Sequence, residues 1–171
     1  YVKNIIPSDM DPLNLRELED RLPLAMDLVE LRMMLEPGVA ELAAIHATDA
    51  QVQKLEEICN RVEYKILHNQ NYINDDIELH TAIAKCSRNK VMEQLIYIIE
   101  TAVMMFVNVT HKKLTRETIE THRAVVNAIK VHDTIGARSA IAMHMTYNRN
   151  AIRQMLEEKE KKQMKEKEEM E

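Results

Sequence analysis

The sequence predicts an all-α protein, and its composition is the first support for that class. Among 171 residues there are only 2 Gly and 4 Pro, and aromatic residues make up 4%. Sheet proteins with many tight turns need more of these residues. Leu, Ala, Met, Glu, Lys and Ile are abundant instead, and most of them are good helix formers. A chain of this length fits one domain, and 46% hydrophobic residues are enough for a buried core.

Two helices are predicted in the first part of the chain. The first begins at Pro23, and apolar residues recur along it at helical spacing: Ala25, Leu28, Leu31, Leu35 and Leu42. The Pro37-Gly38 pair interrupts this pattern and is expected to bend the helix or divide it in two. The segment Thr48–Gln51 has the sequence of a capping box, so a second helix is predicted to start there and to end near His68.

Four more helices are predicted, over residues 72–86, 89–110, 115–131 and from 134 onward. Asn89 and Asp133 stand at the start of two of them and can cap them through their side-chain oxygens. Residues 157–171 are almost entirely Glu, Lys, Gln and Met, which predicts a charged helical or frayed tail. Residues 1–22 are interpreted as a linker and entry segment, and a start at Tyr1 suggests that an upstream part is missing.

Charge, cysteine usage and hydropathy exclude several classes of protein. The net charge is -5 and no unbroken Lys/Arg cluster occurs, so this chain alone is a poor candidate for binding DNA. Cys59 and Cys86 are isolated and are expected to be reduced core thiols rather than a disulfide. Neither a signal peptide nor an apolar run long enough to cross a bilayer is evident, so a soluble, cytoplasmic protein is predicted.

Four polar residues on three predicted helices are expected to face the interior. Asp76 and His80 are four residues apart and therefore project from one helix face, while His122 and His144 lie among apolar residues on two later helices. Three His and one Asp suit Zn, Ni, Mn, Fe or Co and leave one or two coordination positions for a small ligand. The alternative is a metal-free hydrogen-bond network inside a helical interaction module.

Familiar catalytic patterns are missing from the sequence. A zinc peptidase of the HExxH type needs two His four residues apart with Glu after the first, and no such string occurs. A di-iron carboxylate bundle needs Glu three residues before His, but Ile77, Ile119 and Ile141 occupy those positions. No catalytic residue is therefore predicted. A metal-dependent hydrolase that uses the same Asp and His residues remains an alternative, although we identify no general base for it.

Several motifs occur together in an order and at separations that resemble one known family. They are Leu31-Arg32-x-x-Leu35-Glu36 with Ala40-x-Leu42-Ala43-Ala44, Asp76-x-x-Leu79-His80-x-x-Ile83-Ala84, Ser87-Arg88-Asn89, and His122-x-x-Val125-x-x-Ala128-Ile129 followed by Asp133, Ala137, Ala140, Met143 and His144. They resemble the FadR C-terminal domain (FCD), the effector-binding half of many GntR-family bacterial transcription regulators. The likeness covers residues 23–156. Two departures are Leu79, where the family usually has Phe, and Arg88, where it has Gly.

The resemblance implies an antiparallel bundle of six to seven helices around a central cavity that holds a divalent metal ion. By matching motif position, the metal ligands are Asp76, His80, His122 and His144. Zn is the favoured ion, with Ni, Mn, Fe and Co left open. The chain would then be a sensing domain and not an enzyme.

The resemblance also implies an effector and partners. A small organic acid would bind beside the metal, and Arg32 would pair with its carboxylate, unless Arg32 forms a salt bridge with a nearby Glu. Asn148, one helical turn beyond His144, can reach the same cavity. A homodimer is expected, with DNA bound only through a winged-helix domain that would precede residues 1–22.

Overall fold

Helices make up nearly all of the chain that the structure describes. This computed structural model describes residues 21–92, 95, 98 and 114–168. Five helices are bounded within them: α1 (Arg21–His46), α2 (Asp49–Leu67), α3 (Ile73–Cys86), α4 (Thr115–Lys130) and α5 (Thr134–Glu168). Residues 90–92, 95 and 98 are also helical, whereas the rest of the helix predicted at 89–110 lies outside the described residues. No strand occurs in the described ranges, and the all-α class is confirmed.

Three of the helices begin where the capping residues predict. The backbone N–H of Thr48 donates to the side chain of Gln51 at 3.0 Å, and the backbone N–H of Gln51 donates to the Thr48 hydroxyl at 3.3 Å. This pair is the predicted capping box of α2. Asp133 Oδ1 accepts from the backbone N–H of Gly136 at 2.8 Å. Asn89 Oδ1 accepts from the backbone N–H of Val91 at 3.0 Å. Both predicted caps are confirmed.

Pro37 does not divide the first helix. It lies inside α1, which continues for another nine residues to His46. A proline in a helix interior removes one backbone hydrogen bond and costs about 3 kcal/mol. Tertiary contacts offset this cost, because α1 packs against α3, α4 and α5. The residues that follow Pro37 on the buried face are small and allow close approach: Val39, Ala40, Ala43, Ala44 and Ala47.

The core lies between α1 and the other helices. Among the described elements α1 and α5 share the most extensive contact, α4 packs against α5, and α2 packs against α3 and α4. A short turn joins α4 to α5, which pack together as antiparallel neighbours. The largest fully buried apolar side chains are Leu55, Ile58, Leu79, Ile129, Ile141, Met145 and Ile152. Among the described helices we find none with the length and apolar character needed to cross a membrane.

The two cysteines belong to this core. Cys59 and Cys86 are buried and form no disulfide, as predicted. Burial raises the pKa of each thiol to about 11. Because the thiolate is the reactive form of cysteine, neither side chain is activated for chemistry.

Arg88 adopts a backbone conformation that favours glycine, with a φ of 55°. It lies in the turn after α3, where the resembling family has Gly. A left-handed conformation costs a residue with a side chain about 1–2 kcal/mol, and replacing Arg88 by Gly would remove this cost. Gly also loses more backbone freedom on folding, which lowers the free energy of unfolding by roughly 0.5–1 kcal/mol and cancels part of that gain. We therefore expect Arg88→Gly to raise the free energy of unfolding by about 0.5–1 kcal/mol.

Urea denaturation of the Arg88→Gly variant measures this gain directly. The matched control is Gln53→Gly, at an exposed position in the interior of α2, which is expected to lower the free energy of unfolding by about 1 kcal/mol. A loss of stability in Arg88→Gly equal to that in the control would contradict the interpretation.

Candidate functional site

A group of polar side chains is buried between four helices and is called the polar core cluster here. Burial of this many polar groups is costly unless each has a partner. Every member is at most 8% exposed. The members are Arg32 and Glu36 on α1, Asp76 and His80 on α3, Thr121 and His122 on α4, and His144 and Asn148 on α5.

Three histidines from three helices meet at the centre of this cluster. The ring centroid of His122 lies 4.5 Å from that of His144 and 5.4 Å from that of His80, and the His80 and His144 centroids are 5.3 Å apart. One nitrogen of each ring can be chosen so that all three lie within 4.8 Å of one another. Two nitrogens bound to one Zn²⁺ can be separated by at most about 4.2 Å, so small side-chain movements would bring them into one coordination sphere.

Asp76 lies next to this triad, and several atoms here have no hydrogen-bond partner. Asp76 Oδ1 is 3.5 Å from Nε2 of His122. Within the described part of the chain, Asp76 Oδ1 and both ring nitrogens of His122 are buried without a partner. An unsatisfied buried polar atom costs about 1–3 kcal/mol. A cation bound between these groups would accept a lone pair from Asp76 Oδ1 and one from a single ring nitrogen of His122, so the donor set fits a divalent metal ion.

His80 is held from the side of α1. Its Nδ1 lies 2.9 Å from Glu36 Oε2, and Glu36 also forms a buried salt bridge with Arg32. The Arg32 guanidinium is 3.2 Å from His80 Nδ1. Of the two interpretations of Arg32, the structure contains the salt bridge with a nearby Glu. Burial by itself raises the pKa of Glu36, but the charges and hydrogen bonds of Arg32 and His80 outweigh it and lower this pKa to about 2. Glu36 is therefore an anion at neutral pH.

His144 is held on both sides of its ring. Its Nδ1 lies 2.9 Å from the hydroxyl oxygen of Thr121, and its Nε2 lies 3.2 Å from the side-chain nitrogen of Asn148. Asn148 follows His144 by one helical turn, which brings its amide against the ring of His144.

Burial keeps two of the histidines neutral. It lowers the pKa of His122 from 6.5 to about 4, although the neighbouring Asp76 carboxylate opposes the shift. Burial, together with the positive charge that His122, His80 and Arg32 can carry, lowers the pKa of His144 well below its ordinary value. Neutral imidazole is the form that binds a metal ion, so both rings have a lone pair available at neutral pH.

The other histidines have different positions. His46 is the last residue of α1. His68 follows α2, and its Nδ1 is 2.7 Å from the backbone carbonyl oxygen of Tyr64. His132 lies in the turn before α5, and its Nδ1 is 2.7 Å from the carbonyl of Ala44. Each of these three histidines lies at a helix end or in a turn and outside the polar core cluster. His111 lies outside the described residues.

Two members of the cluster were not assigned a role from the sequence. Glu36 follows Arg32 by four residues on α1, and that spacing is a signal for a salt bridge. Thr121 gives no such signal, because its partner His144 is 23 residues away on another helix. Only a tertiary structure can bring this pair together.

Comparisons with known proteins match most of this chain to one domain family. The sequence profile of the FCD domain family matches residues 27–147. Among curated proteins, the Uxu operon regulator of Haemophilus influenzae is 29% identical over 126 residues, which are 70% of this chain and 47% of that protein. The HTH-type transcriptional repressor NanR of Escherichia coli is 25% identical over 120 residues, which are 68% of this chain and 46% of the repressor. The chain thus spans about half the length of these relatives.

A solved structure supports the same assignment. A Streptococcus agalactiae GntR protein superposes with a TM-score of 0.72 and 31% sequence identity, over 82% of this chain and 64% of that one. The relatives are named as regulators and not as enzymes, which confirms the expectation that the chain is not an enzyme. The chain therefore belongs to the FCD domain family, the effector-binding domains of GntR-family transcription regulators.

Proposed function

We propose that this domain binds a divalent metal ion and a small organic acid, and that it passes the presence of the acid to an attached DNA-binding domain. One observation carries the metal part of the proposal. Three buried histidine rings from three helices meet beside a buried carboxylate. Both ring nitrogens of His122 and Oδ1 of Asp76 form no hydrogen bond with any described group. Burial of polar atoms without hydrogen-bond partners lowers the stability of the fold, and a bound metal ion would offset that cost.

The proposed metal ligands are Asp76, His80, His122 and His144. Nitrogen donors with one carboxylate suit Zn²⁺ best, and they also accept Ni, Mn, Fe or Co. A bound metal ion would supply positive charge to the core and attract an oxygen of an acidic ligand. The protein's part is to present neutral imidazoles, which the lowered pKa values of His122 and His144 favour.

The proposed effector site lies next to the metal. Arg32 is proposed to contact the carboxylate of the acid, because its guanidinium lies within 3.2 Å of His80 and the side chain is a permanent cation. Glu36 already pairs with Arg32, so the acid would share this cation or compete for it. Asn148 is proposed as a second contact, since its amide lies against His144.

The regulatory part of the proposal concerns a longer protein than this chain. The relatives are a regulator and a repressor about twice as long as the matched region. We propose that residues 1–22 connect to a winged-helix DNA-binding domain, that residues 23–156 form the sensing bundle, and that residues 157–171 are a charged tail. The protein would act as a cytoplasmic homodimer. An acid with greater affinity for one arrangement of the helices would shift the position of the DNA-binding domains.

A thermal-shift experiment with and without metal tests this proposal. The protein is treated with EDTA, dialysed, and measured alone, with Zn²⁺, and with Zn²⁺ plus each member of a panel of small hydroxy, sugar and dicarboxylic acids. Zn²⁺ at a thousand times its dissociation constant should stabilise the folded state by about 4 kcal/mol. A further rise with one class of acid, in the presence of metal only, is the expected result.

Matched variants show whether the effect comes from the proposed site. His122→Asn should remove the Zn²⁺-dependent rise in Tm, whereas His68→Asn, at an exposed position, should retain it. No Zn²⁺-dependent rise in the unchanged protein, with no metal found after purification without chelator, would favour a metal-free interaction module instead. Turnover of small esters or phosphates by the metal-loaded protein would favour the hydrolase.

A further inference from the structure

We propose that Thr121 is a positioning residue for the metal site, because it determines which nitrogen of His144 carries the proton. This inference rests on the proposed function for its purpose, but its first consequence, the tautomer of one histidine, does not need the metal. A neutral imidazole has one N–H and one lone pair, so a metal ligand is ready only when the proton is on the other nitrogen.

The hydroxyl group of Thr121 has one hydrogen and three neighbouring groups. Its oxygen lies 2.6 Å from the backbone carbonyl oxygen of Glu117, 3.4 Å from that of Thr118, and 2.9 Å from Nδ1 of His144. A carbonyl oxygen can only accept, so the short contact to Glu117 uses the hydrogen of Thr121. The contact with His144 must then be made in the other direction. Nδ1 of His144 donates, and the hydroxyl oxygen accepts.

The opposite side of the same ring leads to the same assignment. With the proton on Nδ1, Nε2 of His144 is an acceptor with a free lone pair. The group beside it is the side-chain nitrogen of Asn148, at 3.2 Å, and an amide nitrogen only donates. Both contacts of the ring are therefore satisfied by one tautomer. A bound metal ion would use the Nε2 lone pair that this tautomer provides, and the Asn148 amide would then give up its hydrogen bond to Nε2.

His80 is also held by residues on another helix, while His122 is not. The carboxylate of Glu36, which only accepts, lies 2.9 Å from Nδ1 of His80, and the Arg32 guanidinium, which only donates, lies 3.2 Å from Nδ1 and 3.4 Å from Nε2. These contacts from α1 fix the position of the His80 ring. His122 has no hydrogen-bond partner on either nitrogen within the described residues. Two ligands are thus oriented in advance by a second residue, and such partners typically change metal affinity by about 10–100-fold.

The test compares Thr121→Val, which keeps the shape of the side chain without its hydroxyl, with Thr121→Ser, which keeps the hydroxyl. Thr118→Val is the matched control, because Thr118 is a buried threonine one turn earlier on α4. Nitrogen-15 NMR of the imidazoles in EDTA-treated protein at neutral pH reports the tautomer. Nδ1 of His144 should be protonated in the unchanged protein, in Thr121→Ser and in Thr118→Val, whereas Thr121→Val should show a mixture of the two tautomers.

The second measurement is the affinity for Zn²⁺, in competition with a chromogenic chelator. We expect Thr121→Val to bind Zn²⁺ about 10–100-fold more weakly, with affinity restored in Thr121→Ser and unchanged in Thr118→Val. An unchanged His144 tautomer in Thr121→Val would overturn the proposal, because the Asn148 amide and not Thr121 would then determine the tautomer. A changed tautomer with unchanged affinity would overturn the positioning role. If the unchanged protein binds no Zn²⁺, the proposed function fails, and the NMR result still decides the tautomer. Thr121→Ala replaces Thr121→Val if the latter does not fold.

Discussion

Replacement of Glu36 by Gln is expected to lower the free energy of unfolding by about 3–5 kcal/mol, the cost of removing one partner of a buried ion pair. Glu36 is 4% exposed and Arg32 is 2% exposed, so solvent cannot replace the lost charge. Gln has nearly the same shape as Glu, and the substitution therefore isolates the effect of charge. It leaves the Arg32 guanidinium without its anion and weakens the hydrogen bond from His80.

Urea denaturation of EDTA-treated protein measures this loss without any contribution from metal. The matched control is Glu41→Gln on the same helix, because Glu41 pairs with Arg138 on the surface, where both side chains are at least 40% exposed. An exposed pair contributes about 0–1 kcal/mol. A double variant, Arg32→Met with Glu36→Gln, removes both charges and should regain part of the stability. Equal losses in Glu36→Gln and Glu41→Gln would show that the buried pair does not stabilise the core.

The helices of this protein could be predicted from the sequence largely because their ends are local features. The capping box at Thr48 and the cap at Asp133 involve residues three apart, so the sequence contains both partners of each contact. Pro37 is different. Its local effect is to interrupt a helix, but contacts of α1 with three other helices decide the outcome, and these contacts are not visible in a local pattern.

The candidate site shows the same division between local and tertiary information. Helical periodicity predicts that His80, His122 and His144 face the interior, and they are all buried. Periodicity does not give the rotation of one helix against another, so it could not predict that the three rings meet. The residue types alone left a shared metal site and a metal-free network as alternatives, and the family resemblance favoured the shared site. The partner of His144, Thr121, is on a different helix, and its role follows only from a distance and a count of hydrogens.

The free energy of unfolding of the metal-free protein is expected to fall steeply as the pH is lowered from about 6.5 to about 4. The pKa of His122 is lowered from 6.5 to about 4 in the folded protein. Above pH 6.5 the ring is neutral in both the folded and the unfolded chain, so stability is complete. Between these two values the unfolded chain takes up a proton that the folded protein does not, and this favours unfolding. The lowered pKa of His144 acts in the same direction.

One pKa unit corresponds to about 1.4 kcal/mol, so His122 alone accounts for a loss on the order of 3 kcal/mol across this range. Glu36, whose pKa is lowered from 4.5 to about 2, adds a second loss of stability only below pH 4.5, because it becomes protonated in the unfolded chain first.

Urea denaturation in EDTA at a series of pH values between 7.5 and 4.5 measures the slope of the free energy of unfolding against pH. In His122→Asn the slope should be smaller, because the group that titrates differently in the two states has been removed, while His68→Asn should keep it. A free energy of unfolding that stays constant from pH 7 to pH 5 in the unchanged protein would mean that His122 is not held neutral by burial, and the neutral-imidazole basis of the metal site would then fail with it.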